Sequence, residues 1–196
     1  MKLEDFENNN SFSNYEYKEV PKGTYVLEYE KVASKKTLAS GYSLYSLQFK
    51  ILEGEYANQK IFVNFFSGWT TKDGKHGSHI SNLRVLLKLA LANNINDNKL
   101  KLFYKNIMTE DVNSTEEFFE KILDSNKLNG CTVGNLYVGT QEGKAYVDGN
   151  GNKKEGRTQY QLSLTKEIEQ QIQPIIDQAM ETIKTPEEIT NDEIPF

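Results

Sequence analysis

The feature of this sequence that most restricts its fold is the strict alternation along residues 45–51, within a strand predicted at residues 42–53. Large apolar residues fill one set of alternate positions there, and polar residues fill the other. This period of two is typical of a β-strand with one buried face and does not fit a helix. We therefore predict a strand with a core face and a polar, basic, exposed face. The core face consists of Tyr45, Leu47, Phe49 and Ile51, and the exposed face of Ser46, Gln48 and Lys50.

Two further strands are predicted, one on each side of this strand. A Pro-Lys-Gly turn precedes the first, at residues 24–33, and a hairpin turn at residues 53–58 leads into the third, at residues 60–66. The third strand carries large aromatic residues on both faces, which a strand with one solvated face avoids. Two interpretations remain open: the sheet closes into a small barrel that buries both faces, or one aromatic row faces a ligand.

The remaining pattern places helices between two groups of strands. Leucines at helical spacing predict a helix at residues 82–93, and the capping-box pair Ser114 and Glu117 begins another at residues 114–124. Strands resume at residues 131–140, 144–148 and 158–164. This order predicts a mainly β fold, a five-stranded barrel of the OB-fold pattern with a helical insert between its third and fourth strands.

A last amphipathic segment covers residues 166–184, and Pro174 is expected to break or kink it. It would pack on the barrel or on a second copy of the chain, which would then be a homodimer. We expect four parts: a flexible N-terminal arm (1–20), the barrel domain (21–165), this helical segment (166–184) and an acidic tail (185–196).

The cellular compartment is predicted from what the composition excludes. The chain has one cysteine, Cys131, so it has no internal disulfide, and we expect this thiol to be a small buried core residue in a reducing compartment. No run approaches the roughly 20 apolar residues that a membrane span needs. The acidic N-terminus lacks the apolar region of a signal peptide. We therefore expect a cytoplasmic protein.

Charge is distributed unevenly along the chain. The formal net charge is −5, yet residues 21–105 carry thirteen Lys and Arg side chains against six acids. Residues 165–196 carry two lysines against eight acids. A basic region between acidic ends is compatible with a nucleic-acid partner even though the whole chain is negative.

Binding of single-stranded DNA requires a positive groove and aromatic side chains, because phosphates must be neutralised and bases stacked. The candidate aromatic residues are Tyr42, Phe62, Phe66, Trp69 and Tyr146, and the candidate phosphate contacts are Lys35, Lys36, Lys50, Lys72, Lys75, Lys153, Lys154 and Arg157. Trp69, Lys72 and Lys75 share a predicted glycine-rich loop at residues 67–78, whereas Tyr146 and the last three cations would flank the groove on its other side. Each ring has a core position as its alternative and each cation a solvated one, so the prediction depends on the whole cluster.

Enzymatic chemistry finds little support in the sequence. The two histidines, His76 and His79, have a spacing that could hold a metal, but no carboxylate or cysteine pair lies near them in the sequence. No glycine-rich phosphate-binding motif is present, and most acids lie in the ends and predicted helices rather than in one cluster. We therefore expect a binding protein with no cofactor and no metal, not an enzyme.

The last five residues combine two acids with an apolar end: Asp192, Glu193, Ile194, Pro195 and Phe196. Exposed apolar side chains at a chain terminus bury no surface of their own and suit docking to another protein. Pro195 restricts the backbone before Phe196, which lowers the ordering cost of that docking.

These five residues resemble the acidic tip of bacterial single-stranded DNA-binding proteins, with Asn191 interrupting the acids. Residues 41–56 (GYSLYSLQFKILEGEY) and 60–66 (KIFVNFF) resemble phage OB-fold proteins of the same function. The resemblance implies a sequence-nonspecific protein that coats single-stranded DNA in phage replication and recombination and recruits replication proteins through its tail. Two alternatives stay open: a single-strand annealing or recombination mediator, and a β-barrel structural or adaptor protein that does not bind DNA.

Overall fold

The structure is a computed structural model, and it describes residues 19–112, 114–143, 145–147, 153–154, 156 and 158–182. Most of the predicted N-terminal arm, the acidic tail at residues 185–196 and Arg157 lie outside the described residues. In chain order the elements are β1 (Gly23–Thr37), β2 (Ser43–Ile51), β3 (Lys60–Phe66), β4 (Trp69–Thr70), β5 (His76–Gly77), α1 (Ile80–Asn93), α2 (Asn98–Thr109), α3 (Thr115–Leu123), β6 (Cys131–Gln141), β7 (Tyr146–Val147), β8 (Lys153–Lys154), β9 (Gln159–Leu162) and α4 (Lys166–Glu181).

Five of the strands form a closed barrel in the order β1-β2-β3-β9-β6, and β6 pairs back onto β1. Every pairing is antiparallel except that of β3 with β9. The β3–β9 pairing consists of one residue pair, Val63 with Tyr160. The predicted mainly β fold is confirmed, with α1, α2 and α3 inserted between the third and fourth barrel strands.

The alternation along β2 determines which side chains fill the barrel. All four residues of its predicted core face, Tyr45, Leu47, Phe49 and Ile51, are buried. From β3 the core receives Ile61, Val63 and Phe65, while Phe62 points outward and is 40% exposed. The sheet therefore closes into a barrel without burying both faces of β3, and contact of the outward aromatic row with a ligand stays a prediction.

The first strand is longer than predicted. It continues to Thr37, so Lys35 and Lys36 are strand residues and not part of a loop. Its register against β2 shifts twice, between Tyr29 and Lys31 and between Val32 and Ser34. Each irregularity breaks the alternation, because an extra residue reverses the facing of those that follow.

The helices also differ from the sequence prediction in two places. Sequence analysis assigned no helix to α2, although Asp97 caps it by accepting from the backbone N–H groups of Lys99 and Leu100. The helix α4 does not break at Pro174, because it runs continuously from Lys166 to Glu181 with Pro174 inside it; a kink there stays a prediction. The predicted capping residue of α3 is confirmed, since Ser114 accepts from the N–H of Glu117.

The C-terminal helix packs on the helical insert of the same chain. Ile176 and Ala179 of α4 are buried, and α4 contacts α1 and α2. Lys88 of α1 anchors it, with its Nζ 2.6 Å from Oε1 of Glu169 and 2.9 Å from Oε1 of Gln173. In the described part of the chain, no helix has the length and apolar character that crossing a membrane requires.

Candidate nucleic-acid interface

The outer face of β1, β2 and β3 carries a row of candidate residues at one end of the barrel. Lys36 of β1 pairs with Leu44 of β2, and Leu44 pairs with Phe66 of β3. Directly opposed residues on antiparallel strands lie on the same face, so these three side chains form one row across the sheet. Phe62 lies on this face further along β3. We call Lys36, Leu44 and Phe66 the Lys36 row.

The chain then turns into the β4–β5 hairpin, which places Trp69 beside the Lys36 row. The ring centroids of Phe66 and Trp69 are 6.3 Å apart and the rings are nearly perpendicular, at 80°. The His79 ring lies 5.0 Å from that of Trp69. The indole remains 36% exposed, and it is the only tryptophan of the chain. We call Phe66, Trp69 and His79 the Trp69 cluster.

Two glycines allow the candidate rings to lie directly against the backbone. A Cβ atom on Gly77 would lie 2.5 Å from Cε2 and Cζ2 of Trp69, and one on Gly68 would lie 2.5 Å from Cδ1 and Cε1 of Tyr42. Neither contact is possible for an alanine without moving the ring. The rings of Trp69 and Tyr42 are thus positioned before any ligand arrives, which reduces the ordering cost of binding.

The two histidines serve separate contacts within this region. Phe66 N–H donates to Nδ1 of His79 at 2.9 Å, and the backbone N–H of His79 donates to the Phe66 carbonyl at 3.0 Å. Burial lowers the pKa of His79 below its ordinary value, so the ring is neutral at pH 7. Nδ1 of His76 lies 3.1 Å from Oγ1 of Thr70 across the hairpin. Among the residues described, no group of three His, Cys, Asp or Glu side chains could share a metal ion.

The tip of the β4–β5 hairpin presents two lysines to solvent. Thr71 closes it, donating its N–H to the Lys75 carbonyl at 2.8 Å and accepting the Lys75 N–H at Oγ1 at 3.1 Å. Gly74 adopts a left-handed φ of 78° that completes the turn. Lys72 and Lys75 are exposed, as is Lys36. Within the described ranges, none of the three has an ion-pair partner.

Two other predicted phosphate contacts are engaged by carboxylates. Lys35 Nζ lies 3.0 Å from Oε1 of Glu120 and 3.3 Å from Oδ2 of Asp124, so it joins β1 to the region of α3. Lys50 Nζ lies 2.8 Å from Oε1 of Glu28. That hydrogen bond raises the pKa of Lys50. Both lysines were predicted to contact phosphates, and each holds an ion pair in this structure.

The polar face of β2 was predicted to be basic and exposed. This is wrong in two respects, because Gln48 is buried and because acids of β1 offset the positive charge. Gln48 is only 6% exposed, and its Nε2 donates to a carboxylate oxygen of Glu30. The same Glu30 oxygen lies 3.2 Å from Lys60 Nζ. Acids from β1 therefore compensate the lysines at this end of the face. The bond between Gln48 and Glu30 was not predicted, because it depends on the register between β1 and β2.

The last group of predicted residues lies in the connection between β6 and β9. Tyr146 pairs with Lys154 and Val147 with Lys153, forming the two-stranded ribbon β7–β8. Lys153 is exposed. For Tyr146 and Lys154 only the backbone is described, and Arg157 lies outside the described residues.

Comparison with known protein families finds one match. The profile of a family described as "Protein of unknown function (DUF669)" matches residues 4–115, which is more than half of the chain. The chain belongs to this family. No curated protein matches the chain significantly.

The DUF669 match covers most of the candidate interface. It includes β1 to β5 together with α1 and α2, and thus the Lys36 row, the Trp69 cluster and the hairpin lysines. The barrel strands β6 and β9 and the ribbon β7–β8 lie beyond it. Most of the candidate interface therefore lies within the residues that match the family.

Proposed function

We propose that this DUF669 protein binds single-stranded DNA without sequence preference, and that it is a binding protein and not an enzyme. The observation that carries the proposal is the exposed Trp69 indole, packed against Gly77 and placed beside Phe66. Bases stack on such rings whatever their identity, because every base has an aromatic face. Lys36 lies in register with Leu44 and Phe66, and Lys72 and Lys75 lie in the hairpin that carries Trp69; in this proposal all three neutralise phosphates.

The barrel supports the same proposal. Its strand order and the position of its helical insert are consistent with an OB-fold, in which strands 2 and 3 and the adjoining loops bind oligonucleotides. Tyr42, Phe62 and Phe66 lie on or next to that face. In this proposal the ribbon β7–β8 and Arg157 flank the bound strand on its other side.

The resemblance of the sequence to phage single-stranded DNA-binding proteins supplies the biological setting. We propose that the protein acts in the cytoplasm during phage DNA replication and recombination. The overall charge of −5 does not oppose this role, since the potential at the interface is set by nearby charges and distant ones are screened.

Titration of a labelled oligo-dT tests the proposed function. Three lysines in contact with phosphates give a slope of about −2 in log affinity against log salt, since each contributes roughly 0.7 for single strands. We therefore expect affinity to fall about 20-fold between 50 and 200 mM salt, as followed by fluorescence anisotropy. The matched duplex should bind more weakly. Absent binding at 50 mM salt would refute the proposal and favour the adaptor alternative.

The C-terminal tail is proposed to recruit replication proteins by its resemblance to the bacterial tip. Removing residues 192–196 should leave affinity for oligo-dT equal or tighter, because the deletion removes two acids and the terminal Phe196. The same deletion, and Phe196→Ala alone, should abolish pull-down of replication and recombination proteins. Loss of DNA binding in the truncated protein would contradict this division of roles.

A further inference from the structure

The outer face of β1, β2 and β3 differs in charge between its two ends. At one end lies the Lys36 row, whose Phe66 contacts Trp69 of the β4–β5 hairpin. At the other end the directly paired residues are Glu28, Lys50 and Lys60, again one from each strand. Lys50 lies six positions after Leu44 in β2, a distance of about 20 Å along a strand. The two ends are therefore separate binding environments for a chain of phosphates.

At this second end both lysines are paired. Glu28 lies 2.8 Å from Lys50 and Glu30 lies 3.2 Å from Lys60. The carboxylates are the less exposed partners, with side chains 22% and 20% exposed. Partial burial raises the pKa of Glu30, but hydrogen bonds from Gln48 and Lys60 outweigh it and lower the pKa below its ordinary value. Glu30 is therefore ionised at pH 7.

Buried Gln48 fixes this arrangement in place. Its side-chain amide donates to Glu30, and Phe62 stands directly opposite it on β3. The Glu30 carboxylate is thus held between Gln48 and Lys60, and Gln48 is a residue that solvent hardly reaches. A phosphate that approached Lys50 or Lys60 would have to displace a carboxylate already bonded to that lysine, with little gain in attraction.

We infer that Glu28 and Glu30 form the boundary of the DNA-binding track. Single-stranded DNA crosses the barrel over the Lys36 row and continues onto the β4–β5 hairpin, and it does not extend along β2 and β3 to Lys50 and Lys60. This inference rests on the proposed function and specifies its limits. Glu28 and Glu30 set the length of the binding site here, because they limit how many phosphates the face engages.

The test removes the boundary charge while keeping the lysines. In the double variant Glu28→Gln and Glu30→Gln, Lys50 and Lys60 become free, so the salt slope for oligo-dT should steepen by about 1.4. The shortest oligonucleotide that gives full affinity should also lengthen. A control with the same change in net charge replaces Glu110 and Glu117, which pair with Lys121 at α3. This control should leave the salt slope and the shortest fully bound oligonucleotide unchanged.

A second variant replaces both complete pairs, Glu28, Glu30, Lys50 and Lys60, with glutamine. The wild-type slope is expected, because paired lysines contribute nothing to the track. If the wild type binds but the salt slope of the double variant does not steepen, the boundary is wrong and the proposed function stands. A salt slope shallower than wild type in the fourfold variant has the same meaning. Absence of binding by the wild type overturns both this inference and the proposed function.

Discussion

Replacing Trp69 with alanine is expected to weaken binding of single-stranded DNA by about 1–3 kcal/mol, which is the contribution of one base stacked on an aromatic ring. This corresponds to a loss of roughly 5- to 150-fold, at about 1.4 kcal/mol for each factor of ten. The indole is exposed and already positioned by Gly77, Phe66 and His79, so its removal takes away a prepared surface. Anisotropy titrations at constant salt measure the change.

Three comparisons make this result specific. Tyr137→Ala removes a more exposed ring, 47% accessible, from β6, and should leave affinity unchanged. Gly77→Ala keeps the indole but displaces it, and should lower affinity and shift the emission of Trp69, the chain's single tryptophan. Gly139→Ala is its control, since a Cβ there lies 3.8 Å from its nearest neighbour. If Trp69→Ala binds normally and is equally stable, the stacking role is wrong.

A larger effect, on stability, is expected from Phe119→Ala. Phe119 is fully buried and its ring lies 5.6 Å from that of Tyr45, so it ties α3 to the interior of the barrel. Truncating a buried phenylalanine costs about 3–5 kcal/mol through lost burial and the cavity left behind. Denaturant titration should show one transition at a lower midpoint, because the insert and barrel share a core.

The matched control for this experiment is Glu120→Gln, the next residue of α3. Its carboxylate pairs with Lys35 on the surface, with half of the glutamate side chain exposed. Exposed pairs of this kind contribute about 0–1 kcal/mol, so the midpoint should hardly move. A second unfolding transition in either variant would mean that α3 folds separately from the barrel.

Local pattern allowed most of the architecture to be predicted. The alternation in β2 identified its buried face because the period of two is a property of a single strand. The start of α3 was predicted by Ser114, which caps its own helix. The extent of β1 was not predicted correctly, because its register irregularities interrupt the alternation. The α2 helix was missed although Asp97 stands at its start.

The candidate site was predicted less completely than the fold. Sequence analysis named Phe62, Phe66 and Trp69 without deciding between a core and an exposed position for each. Contact of these rings with DNA stays a prediction, although the structure exposes Phe62 and Trp69. Lys35 and Lys50 looked like free cations because their acidic partners are distant in the chain, in α3 and β1.

By itself the sequence determined the class of fold, the core face of β2 and the basic character of the first half of the chain. These follow from residue type and spacing within one segment. Only the tertiary structure decided that Glu28 and Glu30 compensate Lys50 and Lys60, and that Trp69 lies on Gly77. The reason is physical: charges and rings act over a few ångströms, and strand register and closure of the barrel decide which distant residues come that close.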